Sequence, residues 1–328
     1  MAEQDTLETG LLFAVVLDGE GGGREVGWDE IESWTPDHGL LWLHLDFRNE
    51  NTKRWLEGPS GIDPVLARTI VAADARPRVV ALDDALMVSL RGVNLNPGAN
   101  PEDMVGIRVW VDKDRIITVR HRRLMAAQDL RERLAQGHGP KTSGEFLSRL
   151  ADSLIDRMGP VVGELEDEVD DLEDRVLTKG KSSLRSELSD IRRTAITLRR
   201  YLAPQREAMA RLMLEDATWL SAMDKAMLRE VADRTTRYVE DLDAARERAA
   251  VVHEELAAQL ADQMNRTMYV LTVVAAILLP PSLLTGLLGI NVGGMPGVDS
   301  DLSFTLVAVA IVAIGVVEYL VLRWLKWI

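Results

Sequence analysis

The side chains with the most capacity for chemistry are thinly spread. The five histidines (His38, His44, His121, His138 and His253) form no HxxxH pair, and cysteine is absent. Disulfide frameworks, thiolate metal sites and cysteine nucleophiles are thereby excluded, and a protein-built structural zinc site is not expected. Carboxylates are abundant but uneven. Glu164, Glu166, Asp167, Glu168, Asp170, Asp171, Glu173 and Asp174 crowd between the apolar residues Val162, Leu165, Val169, Leu172 and Val176. Such a field concentrates cations, although a charge run at helical spacing is ordinarily a solvated face. Glu318 stands alone in an apolar stretch, where it exchanges a proton, pairs with Arg266 or snorkels to the interface. Asp299 and Asp301 lie in a short linker without Lys or Arg. Gly-rich phosphate loops, a Gly-x-Ser-x-Gly elbow and a His–carboxylate arrangement are all missing, so neither an enzyme nor a cofactor is expected.

The elements that must position these groups follow from charge and hydropathy. Among 328 residues, 38 Lys and Arg oppose 52 Asp and Glu, for a net charge of -14, and 5% of residues are aromatic. A nucleic-acid partner is not expected of that surface. The mean hydropathy of -0.03 averages a charged first part with a last segment of about sixty nearly uncharged residues. The chain reads as a membrane protein with a large soluble domain. The opening MAEQDTLETG has neither a basic segment nor an apolar run, so no export signal is expected in it.

Residues 1–125 read as a cytosolic α/β domain, with strands at 11–17, 40–47, 79–82, 85–93, 106–111 and 115–119, the last two a hairpin. Helical periodicity begins near Asp129 and covers 126–266. One helix continues the stripe beyond Pro160, a second runs from Leu184 through Leu202 and is interrupted near Pro204, and a third begins near Ser221. That third pattern hardly stops before Pro280 and predicts a stalk helix on the order of 100 Å long.

Residues 268–288 form an uncharged stretch of 21 residues, and 302–322 contain Glu318 as their only charge. Each is long enough to span a bilayer. The predicted layout is a first span at 267–290, a periplasmic loop at 291–301, a second span at 302–323 and a tail at 324–328. Arg266 before the first span, with Arg323 and Lys326 after the second, places both termini in the cytoplasm, and Trp324 and Trp327 suit the interfacial belt. A two-helix hairpin cannot enclose a pore alone, so transport requires a symmetric oligomer.

The segment LLTGLLGINVGGMPG, residues 283–297, resembles the Gly-Met-Asn signature of the CorA metal-ion transporter superfamily, read as Gly289-Ile290-Asn291. The central Ile and the following VGGMPG are similar to the ZntB zinc-transporter branch. So are Arg76-Pro77-Arg78 and LRGVNLNPGANPEDMVGIRVW, residues 90–110. The resemblance covers essentially the whole chain. It implies a homopentameric funnel in the bacterial inner membrane, with Gly289, Ile290 and Asn291 as the filter at the outer mouth. The pore-lining positions it implies are Met268, Leu271, Ala275, Leu279 and Ser282, whose steps of three and four share one helical face. Ile290 and the lack of a Glu after the loop proline depart from the magnesium branch and favour zinc or a related divalent ion.

Five Asn291 amide oxygens would accept hydrogen bonds from a hydrated dication without stripping its water, although an Asn also caps helix C-termini. Gly286 and Gly289 allow close helix approach or local flexibility, and Pro280-Pro281 kinks the helix or frees carbonyls. Ten carboxylates from Asp299 and Asp301 would raise the cation concentration at a pentamer's mouth. No protein atom is expected to bind the metal directly, because the pore offers no His or Cys, and selection then acts on the hydrated ion. The expected activity is zinc transport, with proton coupling as an option. The alternatives are a magnesium channel gated by cytosolic metal and a membrane-anchored coiled-coil scaffold.

Overall fold

The computed structural model describes residues 10–72, 76–179 (backbone only at 177–179), 184–290, 297 and 300–325. It divides into two compact units, one reaching to His253 and one starting at Glu254.

The first unit is organised on a seven-stranded sheet. Its strands are β1 (Leu11–Leu17), β2 (Gly23–Glu25), β3 (Leu40–Asp46), β4 (Arg78–Leu82), β5 (Ala85–Gly92), β6 (Val105–Val111) and β7 (Arg115–Arg120). Their spatial order is β2-β1-β3-β7-β6-β5-β4, and only β3 and β7 run parallel, from Leu41 opposite Arg115 to Asp46 opposite Arg120. In β3, Leu41, Leu43 and Leu45 alternate with Trp42 and His44, and all five are buried. A strand covered on both faces reads as one apolar run instead of an alternation. The hairpin expected between β6 and β7 forms. Asp112 holds its turn, with Oδ1 accepting from the backbone N–H groups of Asp114 at 2.8 Å and Arg115 at 2.7 Å.

Three short helices, α1 (Trp28–Glu32), α2 (Glu50–Glu57) and α3 (Pro64–Ile70), supply Ile31, Leu56, Leu66 and Ile70 to the core around Leu43 and Leu45. Periodicity does not reveal them, because each buries only one to three side chains. For α2 and α3 the signal is in the caps, whereas α1 has Gly27 at its start and no side-chain cap. Asn49 Oδ1 accepts from Asn51 N at 2.8 Å, and Asp63 Oδ1 from Val65 N at 2.8 Å, with Pro64 in the first turn. On the other face lie α4 (Met125–Ala135) and α5 (Ser143–Asp156), where Phe146 meets Trp42 edge-on at 4.7 Å. Helix α4 starts a turn earlier than the periodicity suggested.

Next come α6 (Met158–Lys179), α7 (Leu184–Leu212), α8 (Ala222–Leu288) and α9 (Ser303–Trp324). The stripe from Val162 to Val176 is buried, and α6 packs on α7. The interruption expected near Pro204 does not occur, and α7 runs through it to Leu212. An interior proline costs about 3 kcal/mol, but Leu198, Leu202, Ala208, Met209 and Leu212 are all buried around it. At about 1.5–3 kcal/mol per fully buried aliphatic side chain, tertiary packing outweighs that local penalty. Beside Pro204, the Gln205 amide accepts from Arg91 N at 2.7 Å and donates to Arg91 O at 3.0 Å. It continues the ladder of β5 beyond Ser89, the last β5 position level with Arg78 at the start of β4.

The acidic face of α6 is more than a solvated surface. Asp170 and Glu173 both pair with Arg248 of α8, and Arg175 joins Asp171 to Glu187. Burial and the neighbouring carboxylates of Asp241 and Asp170 raise the Glu166 pKa.

Candidate functional site

The second unit contains the C-terminal part of α8 and all of α9. The most apolar 18-residue window of α8 is 0% buried and that of α9 is 6% buried, so these helices are greasy and uncovered. In water such surface would be strongly unfavourable, whereas in a bilayer it is the required exterior. Helix α8 continues through Pro280-Pro281 to Leu288, and Gly289 N–H closes a further turn on Thr285 O at 2.9 Å.

Each helix has one partly covered face. On α8 it comprises Val273, Ala276, Ile277, Pro280, Pro281 and Leu284, spaced at one helical face. The positions implied to line a pore, Met268, Leu271, Ala275, Leu279 and Ser282, are all exposed. At 3.6 residues per turn the two sets are centred about 170° apart. Gly286 and Gly289 extend the exposed stripe, and a Cβ at Gly286 would meet nothing within 4 Å. The stripe carries no charge. It offers the hydroxyl of Ser282 and small side chains near its C-terminal end.

On α9 the covered face runs through Ser303, Val307, Ile311, Ile314, Gly315, Glu318 and Leu322. Glu318 therefore points away from the exposed apolar surface. Its Oε2 is sealed from solvent and has no hydrogen-bond partner among the described residues. The ion pair considered with Arg266 is absent among the described residues, and the sealed oxygen argues against snorkelling.

Of the three positions implied by resemblance to form a filter, Gly289 and Ile290 follow the end of α8, and Ile290 is 52% exposed. Asn291 and Asp299 lie outside the described residues. Asp301 is exposed just before α9. Among the described residues no cluster of three or more His, Asp or Glu is arranged to hold a metal ion.

The sequence reading did not anticipate the environment of His44. This side chain is 0% exposed, stacked on Phe13 at 4.7 Å, with Nδ1 2.7 Å from Thr118 Oγ1. The Thr118 hydroxyl donates to Leu43 O at 3.0 Å and accepts from Trp42 Nε1 at 2.8 Å. Its single proton is therefore committed, so His44 must carry its own proton on Nδ1. Burial, reinforced by Arg120, lowers its pKa to about 3. It is a neutral core residue.

Comparison with known proteins agrees with this architecture. The family model described as CorA-like Mg2+ transporter protein matches residues 37–324. The chain is 39% identical over 325 residues to the divalent cation transporter CmaX of Pseudomonas aeruginosa, covering 98% of each. It is 35% identical over 327 residues to the zinc transport protein ZntB of Pectobacterium carotovorum subsp. carotovorum, covering 99% of this chain and 97% of that one. The solved structure of full-length CmaX superposes with a TM-score of 0.84 at 38% identity, covering 98% of this chain and 99% of that chain. With its sheet, its long helix and its two uncovered apolar helices accounted for, this chain belongs to the CorA-like Mg2+ transporter family.

Proposed function

We propose that the protein transports divalent cations, zinc foremost, through a homopentameric pore in the bacterial inner membrane, with both termini in the cytoplasm. The observation that carries this reading is the uncovered, uncharged stripe of α8 opposite its partly covered face. Five copies of that stripe would enclose a path in which no side chain binds the ion tightly, so a hydrated dication passes without being trapped. Residues 289–291 form the filter, and Asp299 and Asp301 attract cations to its mouth. Glu318 exchanges a proton during transport. Zinc is supported by Ile290 and the glycines after it, and by the similarity to proteins named ZntB. Magnesium is the second reading, supported by the description of the matching family.

The test is zinc uptake into liposomes that contain a zinc-sensitive dye, with and without an inside-alkaline pH gradient. Uptake accelerated by the gradient and lost in Asn291→Ala is expected. Uptake indifferent to the gradient removes the proton role of Glu318. Transport of magnesium but not zinc in the same vesicles selects the second reading, and entry of neither ion refutes transport.

A further inference from the structure

Between β5, β6 and α7 the first unit forms an open-mouthed cavity of about 440 Å³, within the range of small-molecule sites. Its wall brings together Arg91, Arg108, Arg122 and Arg200, against the two carboxylates Glu102 and Asp103. Two of these guanidiniums are held rigidly. Arg91 stacks on the Tyr201 ring at 4.1 Å and donates to Met104 O at 2.9 Å. Arg108 donates to Ala72 O and lies over the Phe47 ring. The other two, Arg122 and Arg200, are exposed and join no ion pair among the described residues. Gly106 leaves space in the wall, since a Cβ there would come no nearer than 3.9 Å to a non-neighbouring atom.

This excess of positive charge stands out in a chain of net charge -14. A second cavity, between α4, α5 and the start of α8, shows the contrast. Its Arg149 and Arg157 are matched by Glu145 and Asp129. We propose that the arginine-lined cavity binds a phosphorylated anion, either free polyphosphate or the phosphates of a nucleotide. Planar guanidiniums in fixed orientations bind phosphate oxygens in paired hydrogen bonds, and pre-organisation reduces the ordering needed on binding. Four guanidiniums against two carboxylates leave a surplus of two positive charges, more than one carboxylate ligand requires and suited to a multiply charged phosphate group.

Calorimetric titration of the full chain in detergent, in buffer containing EDTA, tests this with sodium pyrophosphate and with ADP. Saturable binding of at least one probe is expected, weakened about tenfold or more by Arg122→Ser and by Arg200→Ser. Arg200→Lys, which keeps the charge but not the fork, should recover part of the loss. Arg24→Ser, whose guanidinium pairs with Glu30 outside the cavity, should bind as the unmodified chain does. Tighter binding of ADP identifies a nucleotide as the source, and tighter binding of pyrophosphate a free anion. Absence of saturable binding by both probes overturns the proposal, as does equal binding in the two serine variants.

Discussion

Acid should loosen the first unit through His44, and the size of the effect follows from its surroundings. The imidazole is fully buried, its Nδ1–H is used on Thr118, and its Nε2 has no partner among the described residues. Protonation would place an N–H there with no acceptor and a charge without solvent. The ordinary value of 6.5 applies once the chain unfolds, against about 3 in the folded state. Below pH 6.5 the unfolded chain therefore binds more protons than the folded one, and stability falls as pH falls, down to about pH 3. At about 1.4 kcal/mol per pH unit, the loss between pH 7 and pH 5 is about 2 kcal/mol. The perturbation is His44→Phe, which retains aromatic contact with Phe13 and Trp42 and leaves the Thr118 hydroxyl with its donor and acceptor. Urea unfolding of residues 1–253 at pH 7 and pH 5, for both sequences, isolates the contribution because other groups titrate equally in each. The pH-dependent loss should be about 2 kcal/mol smaller in the variant. An equal loss in both would refute the assignment of a neutral, solvent-free imidazole.

Two further outcomes are expected. Gln205→Leu removes both bonds to the Arg91 backbone and should destabilise the first unit by about 3 kcal/mol, read by the same urea titration. Ala275→Phe places a ring on the exposed stripe of α8 and should reduce zinc uptake at least tenfold, whereas Leu306→Phe on the exposed face of α9 should leave it unchanged; equal uptake by the two would remove the stripe from the pore.

Transport without a tight protein ligand is consistent with the residues present. Zinc prefers nitrogen and sulfur donors, and magnesium sheds water slowly. A stripe of Met, Leu, Ala and Ser satisfies neither preference and so does not hold either ion. Under the proposed function, discrimination would fall to residues 289–291 and to the local field there.

Much of this molecule is legible locally. Strands β1 and β3 to β7, the stripe of α6 and the two apolar spans are encoded by periodicity or by unbroken hydropathy, properties of neighbouring residues. The match of 283–297 to a family signature is equally local. Helices α1 to α3 are too short for periodicity; Asn49, Asp63 and Pro64 betray α2 and α3, and α1 has no such cap. Pro204 misleads for the opposite reason, since its local penalty is real and is outweighed by packing that no local window contains. Composition and spacing along the chain identify which segments are apolar enough to enter a membrane and which residues share a helical face. Other features emerge only on folding: β7 lies parallel to β3, Gln205 completes β5 from 114 residues away, Oε2 of Glu318 is sealed, and four arginines from separate segments line one cavity. These depend on contacts between distant parts of the chain, whose free energy arises only when the intervening segments have folded.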